Sequence, residues 1–256
     1  MAKTEDKTQP DAGTQADIAL PVLYRRPMPL DPGRHGAMSL KRMTSFPFAR
    51  ETNSVPLNGV EFPFAMRHYP IVFTAGAQPN PVAVLGVRPD KNLFVTEWGG
   101  WTDGLYIPAY VRRYPFIFME DGSGDRLILC VDEATDLLTN DSKRPLFADG
   151  APTDVVTHAL DICTEFQAQH ATTAEFGRAL AAQDLLIPNR ADLSLVSGEK
   201  LSLGGFRMVD EARFHALPDD VFLEWRKRGW LHLVYCHLMS SINWGRLADL
   251  ADKAEA

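Results

Sequence analysis

NLFVTEWGGWTDGLYIPAYVRRYPFIF, running from Asn92 to Phe118, is the stretch on which the reading of this chain turns. Aromatic residues make up 10% of the whole sequence, yet they crowd here as Phe94, Trp98, Trp101, Tyr106, Tyr110, Tyr114, Phe116 and Phe118. Such rings bring large apolar area and a few polar tips, and they settle where two layers of structure meet. Within the stretch, Pro108-Ala109-Tyr110-Val111-Arg112-Arg113 predicts a short helix with proline in its first turn. Gly99-Gly100 predicts a turn or bulge between two tryptophans; without a following Lys-Ser/Thr it is no phosphate loop.

Outward from this segment the apolar runs are short and β-like, as in Tyr69-Pro70-Ile71-Val72-Phe73, Val82 to Val87 and Leu127 to Val131. They are separated by Gly76 with Pro79 and Pro81, by Pro89-Asp90, and by Asp121-Gly122-Ser123-Gly124-Asp125. Connections this short leave no room for crossover helices, so antiparallel pairing is expected.

Beyond Gly150 the apolar period lengthens, with Val156, Ala159, Leu160, Cys163 and Phe166 at helical spacing. Thr172-x-x-Glu175 predicts a capping box that opens a second helix through Phe176, Ala179 and Leu180 and ends before Pro188. Leu193 and Leu195, then Leu201 and Leu203, alternate across Ser197-Gly198-Glu199 and predict a hairpin within 192–209. A further helix starts at Pro218, with Asp219 and Asp220 in its first turn, and stops at Gly229. A last one runs from Trp230 to about Leu250, apolar in its first half.

The expected fold is therefore α+β: a mostly antiparallel N-terminal sheet packed against a C-terminal helical region with a β-hairpin. Its divisions are a disordered tail over 1–19, a mainly β portion over 20–150 and a mainly α portion over 151–256, in one compact unit.

The 256 residues are 45% hydrophobic and carry 33 acidic against 26 basic side chains, a net charge of −7. That balance argues against a general nucleic-acid binder, which needs a clustered Lys/Arg excess. The lead-in with Arg25, Arg26, Arg34 and His35 is locally basic. Neither a secretory apolar core at the N-terminus nor a membrane-length apolar run is seen, so no membrane span and a cytoplasmic location are expected. Cys130, Cys163 and Cys236 form no CxxC pair and are expected to be small buried hydrophobes.

Chemistry is concentrated in the aromatic segment. Trp98, Trp101, Tyr106 and Tyr110 as ring surface, with Arg112 and Arg113 addressing a carboxylate, make a candidate ligand-binding site for a peptide, a small molecule or a protein partner. The same letters arise if the rings simply fill a sheet–helix junction. No G-x-S-x-G, HExxH or close carboxylate pair appears, so no catalytic residue is assigned and no cofactor is expected. Cys130 beside a distant histidine is a nucleophile that sequence cannot test.

An enzyme with an unrecognised site would draw on residues near His68, Arg112, Arg113 and Asp132, and requires an arginine, a histidine and a carboxylate to converge. His232 and Cys236 share a helix face without a visible third ligand, so no metal is expected. Asp132-Glu133 and Asp210-Glu211 read as solvated caps at strand ends. Arg226-Lys227-Arg228 precedes a helix of Leu, Val, Tyr and Cys, which offers no base readers.

Val55-Pro56-Leu57 with Glu61-Phe62, Tyr69 to Phe73, Leu85-Gly86 with Asn92-Leu93-Phe94, Trp101, the block Tyr106 to Phe116, and Arg228-Gly229 with His237-Leu238-x-Ser240 together carry a likeness. On these residues the chain resembles the SapC family of bacterial proteins. The resemblance implies an association with surface-layer protein production, and with genes for outer-membrane receptors and tryptophan halogenases. It supplies no catalytic residues. The functional expectation is a cytoplasmic accessory or binding module of that type, with an enzyme and a surface-layer or export component as alternatives.

Overall fold

Pro27-Met28-Pro29 contains two residues without an amide donor, so it can join a sheet only at an edge. It does so in the computed structural model, which describes residues 20–121, 126–141 and 143–254. The tail expected over 1–19 and the turn residues Gly122 to Asp125 lie outside the described residues.

In chain order the strands are β1 (Pro27–Pro29), β2 (Ser39–Leu40), β3 (Ser54–Pro56), β4 (Ile71–Thr74), β5 (Pro81–Val84) and β6 (Phe116–Glu120). They continue as β7 (Leu127–Asp132), β8 (Leu138–Thr139), β9 (Phe147–Ala148), β10 (Ala151–Pro152), β11 (Leu186–Ser194) and β12 (Lys200–Val209). The helices are α1 (Pro32–His35), α2 (Phe62–Ala65), α3 (Ala109–Arg112) and α4 (Asp154–Ala182), then α5 (Glu211–His215), α6 (Asp219–Lys227), α7 (Trp230–Ser240) and α8 (Asn243–Lys253).

The fold is α+β, and every described pairing is antiparallel. One sheet runs β1-β7-β6 and a larger one β11-β12-β4-β5-β3, with β2-β8 and β10-β9 as short pairs. The C-terminal hairpin thus extends the N-terminal sheet, through Phe206 opposite Thr74 and Arg207 opposite Phe73. It also starts earlier than the alternation showed, at Leu186. Pro188 is tolerated because β11 is the outer strand, with one side free of ladder bonds.

Two helix boundaries differ from expectation. α4 is continuous through Thr172, whose hydroxyl donates back to Ala168 O at 3.2 Å, while that of Thr173 donates to Gln169 O at 2.6 Å. The hydroxyls are satisfied inside the helix, and Phe166, Thr173, Phe176 and Leu180 keep one face buried across the expected break.

The helix expected from Trp230 to Leu250 is two. The side-chain amide of Asn243 donates to Ser240 O at 3.0 Å, Met66 O at 2.8 Å and Tyr69 O at 3.3 Å, pinning the turn to the approach to β4. A carbonyl held in this way no longer requires the helix to continue.

A core running from Tyr24 to Ala251 fully buries Phe62, Tyr69, Phe73, Phe94, Phe176 and Phe214. A smaller cluster of Leu40, Phe116, Val131, Leu146, Val156, Ala159 and Cys163 lies under the first half of α4.

His237, fully buried on α7, joins two strands to that helix. Its Nε2 accepts from Val209 N at 3.1 Å and its Nδ1 donates to Ile71 O at 2.8 Å, which fixes a neutral ring. Burial pushes its pKa down to about 4. The unfolded chain takes up this proton near pH ~6.5 and the native state does not, so stability is whole above that value and is lost as pH falls toward 4. The loss should approach about 3 kcal/mol at the low end. Urea unfolding at pH 7, 5.5 and 4.5 reads it. A His237→Gln variant should show a flatter profile, and an unchanged slope would assign the titration to other groups.

Candidate functional site

Glu61 organises the aromatic segment from beneath. Its Oε1 accepts from Tyr106 OH at 3.0 Å and Ala109 N at 2.7 Å, and its Oε2 from Asn58 N at 2.9 Å. Burial raises its pKa, and these donors pull the other way. With α3 anchored so, the candidate residues part company.

Trp101 is buried, donates Nε1 to Tyr69 OH at 3.0 Å and meets the rings of Phe46 and Phe94. Tyr110 is buried and donates to Val22 O at 2.9 Å. Tyr106 is half-buried and stacks on Phe64 at 5.6 Å. Trp98 is 91% exposed at the tip of the turn closed by the Val95–Trp101 bridge. The four rings have different settings: two complete the core, one covers a surface edge and one stands in water.

The two arginines also separate. Arg112 donates to Ile107 O at 3.0 Å and lies against Tyr106. Arg113 is only 8% exposed, and its guanidinium sits 4.3 Å from the ring centre of Tyr110 and 4.0 Å from that of Phe166. Among the described residues no carboxylate pairs with it, and its buried Nε has no hydrogen-bond partner. Two aromatic faces stabilise the charge, but a buried cation gains far more from an anion.

Arg113 borders a cavity of about 170 Å³ between the Arg112–Phe116 backbone and the first half of α4. This holds roughly six waters' worth of space. Lys41, Arg112, Arg113, Arg144 and His158 line it together with Leu40, Met43, Phe116, Val155 and Ile162, and among the described residues no aspartate or glutamate does. A second cavity of about 430 Å³ shares the wall of Lys41, Tyr114 and Leu137 and is lined further by Arg25, Arg42, Thr44, Ser45, Phe48, Thr135 and Asp136. Lys41, Arg144 and His158 were absent from the sequence reading. Their one trace was the position of His158 on the α4 face that carries Val155, Ala159 and Ile162.

The shared wall rests on Asp132, which overturns the reading of Asp132-Glu133 as solvated caps. Asp132 is fully buried and accepts from Tyr114 OH at 3.0 Å, Arg25 N at 3.1 Å, Arg26 N at 2.7 Å and Ala134 N at 3.2 Å. Phe48 stacks on Tyr114 at 3.8 Å. Glu133 is taken by Arg34 Nη2 at 2.7 Å, Arg26 at 3.3 Å and His35 Nε2 at 3.2 Å, and Arg34 holds its carboxyl below the usual range. It clamps α1 onto the end of β7. Asp210, by contrast, does cap α5, accepting from Arg213 N at 3.1 Å.

The residues named for an enzyme stand in different settings: Asp132 holds the lead-in, Arg112 donates to Ile107 O, Arg113 faces α4, and His68 keeps a buried Nδ1 without a hydrogen-bond partner. Burial raises the thiol pKa values of Cys130 and Cys236 and lifts that of Cys163 to about 11, so all three stay protonated and weakly nucleophilic at neutral pH. His232 Nε2 lies 3.6 Å from Cys236 Sγ, and among the described residues no group of three metal-ligating side chains forms. No described helix is long and apolar enough to cross a membrane.

No curated protein and no solved structure matches the chain. The SapC family model matches residues 30–247, a span that takes in the smaller cavity, most of the lining of the larger one, the buried Asp132 and the first five residues of α8, and the chain belongs to the SapC family.

Proposed function

We propose that this chain is a binding module that holds an anionic ligand in the cavity between Arg112–Phe116 and α4. One observation carries the reading: a protein of net charge −7 gathers Lys41, Arg112, Arg113, Arg144 and His158 around one hollow with no carboxylate among its described lining. Charge-assisted bonds from such groups to a carboxylate are about twice as strong as neutral ones. The apolar floor of Leu40, Met43, Val155 and Ile162 suits the organic part of the ligand. The space admits a small carboxylate, or the acidic side chain or terminus of a larger partner.

Benzoate and hexanoate, set against benzyl alcohol and hexanol, test this in thermal-shift and calorimetric titrations. The carboxylates should raise Tm in proportion to log concentration, with Kd on the order of 0.1–1 mM, and the alcohols should not. A Lys41→Ala/His158→Ala double variant should weaken binding about tenfold, as expected for loss of a partly solvated charged contact. Equal shifts from acids and alcohols, or none from either, would remove the reading.

A further inference from the structure

Between β2 and the turn at Pro47–Ala49 the chain runs through Lys41 to Phe46 without turn or bend. It is fastened at both ends, by Lys41 N donating to Leu137 O at 2.9 Å and Phe46 N donating to Gly99 O at 2.6 Å. Between these anchors lie Arg42, Met43, Thr44 and Ser45. Among the described residues, none of their backbone N–H or C=O groups has a protein partner. Met43 lines the smaller cavity, on one side of the ribbon, while Arg42, Thr44 and Ser45 line the larger.

The result is a strand-like ribbon about 13 Å long whose ladder groups are unfilled, with a cavity on each side. Unfilled ladder groups are a template for another strand. Where a groove uses such an edge to hold a peptide, the main-chain bonds supply affinity and flanking pockets read alternate side chains.

Charge decides the occupant. Across both cavities Lys41, Arg42, Arg113, Arg144 and His158 face a single described carboxylate, Asp136. We infer that the groove binds an extended acidic peptide segment, paired main chain to main chain with Arg42–Ser45, with one carboxylate seated beside Arg113. This rests on the anionic-ligand reading of the smaller cavity and adds the partner's backbone. A non-peptide polyanion would answer the charge and leave the ladder groups empty.

The test uses the full chain and a fluorescein-labelled heptapeptide of alternating valine and glutamate, followed by anisotropy and by amide exchange. The expected result is saturable binding that weakens at least about tenfold when lysine replaces glutamate, and about as much when alternate backbone nitrogens are methylated. Amides within Arg42–Ser45 should exchange more slowly in the complex. Arg42→Glu, at an exposed position, should weaken the acidic peptide and leave Tm unchanged.

Thr44→Pro, which deletes one ladder donor, should act like methylation; if it fails to fold, the methylated peptide makes the same test from the ligand side. The inference is overturned if the methylated peptide binds as well as its parent, if the Arg42–Ser45 amides gain no protection at saturation, or if heparin competes while methylation has no effect. Should benzoate bind and the peptide not, the peptide inference falls and the anionic-ligand reading stands. Should neither bind, both fall.

Discussion

Asp132→Ala should lower folding stability by about 4 kcal/mol, the scale of removing one partner from a buried charged network. Asp132 has no exposed surface and accepts four hydrogen bonds, two of them from the consecutive amides of Arg25 and Arg26. Alanine leaves the buried Tyr114 hydroxyl and the partly buried amides of Arg25, Arg26 and Ala134 without this acceptor, and each such group costs on the order of 1–3 kcal/mol where water cannot reach it.

Asp132→Asn keeps the shape but turns an NH₂ toward N–H donors, so about half the loss is expected. Urea unfolding with circular dichroism measures both. A loss below about 1 kcal/mol for alanine would mean that water fills the site as well as the carboxylate does. Because Tyr114 stands in the wall common to both cavities, the asparagine variant should also bind benzoate more weakly while still folded.

That Asp132 was misread from sequence is instructive. Two adjacent acids after an apolar run ordinarily meet water, and nothing nearby in the chain signals that Arg25 and Arg26, more than a hundred residues earlier, return their amides to one of them. Local signals did identify local structure. Short apolar runs marked β4, β5 and β7, Pro108 marked the start of α3, and Ser197-Gly198 marked the hairpin turn, where Gly198 has φ +89.

Local signals failed where a distant partner decided the outcome. Asn243 ends α7 by reaching Met66 and Tyr69, and Pro-Met-Pro becomes a strand only because β7 offers an edge. The candidate site divides in the same way. Residue type alone pointed to Arg112 and Arg113. Composition could not assign Trp98 to solvent and Trp101 to the core, since both are tryptophans of one turn, nor could it bring Lys41, Arg144 and His158 to one cavity.

Gly177→Ala should destabilise the protein by about 2–3 kcal/mol, against the usual sign for a helix interior, where alanine is better than glycine by about 1 kcal/mol. A Cβ at Gly177 would lie 2.1 Å from the backbone oxygen of Pro79. No rotamer relieves this, because Cβ is fixed by the backbone. The Pro79 loop cannot easily withdraw: Thr74 N donates to Asn80 O at 2.9 Å, Asn80 N to the Thr74 hydroxyl at 3.0 Å, and Leu57 N to Pro81 O at 3.0 Å. α4 must therefore move.

Gly245→Ala on α8, with no atom within 4 Å of the added carbon, should instead gain up to about 1 kcal/mol. Urea unfolding separates the two, and a Gly177→Ala protein as stable as the parent would refute this seating of α4 on the β4–β5 loop. Gly86→Ala gives the functional contrast, since its Cβ would meet Lys91 O at 1.8 Å in a part of the protein that lines neither cavity. Both substitutions strain the fold. Only Gly177→Ala displaces the unbroken helix that also carries Val155, His158 and Ile162, so at matched stability it alone should weaken carboxylate binding.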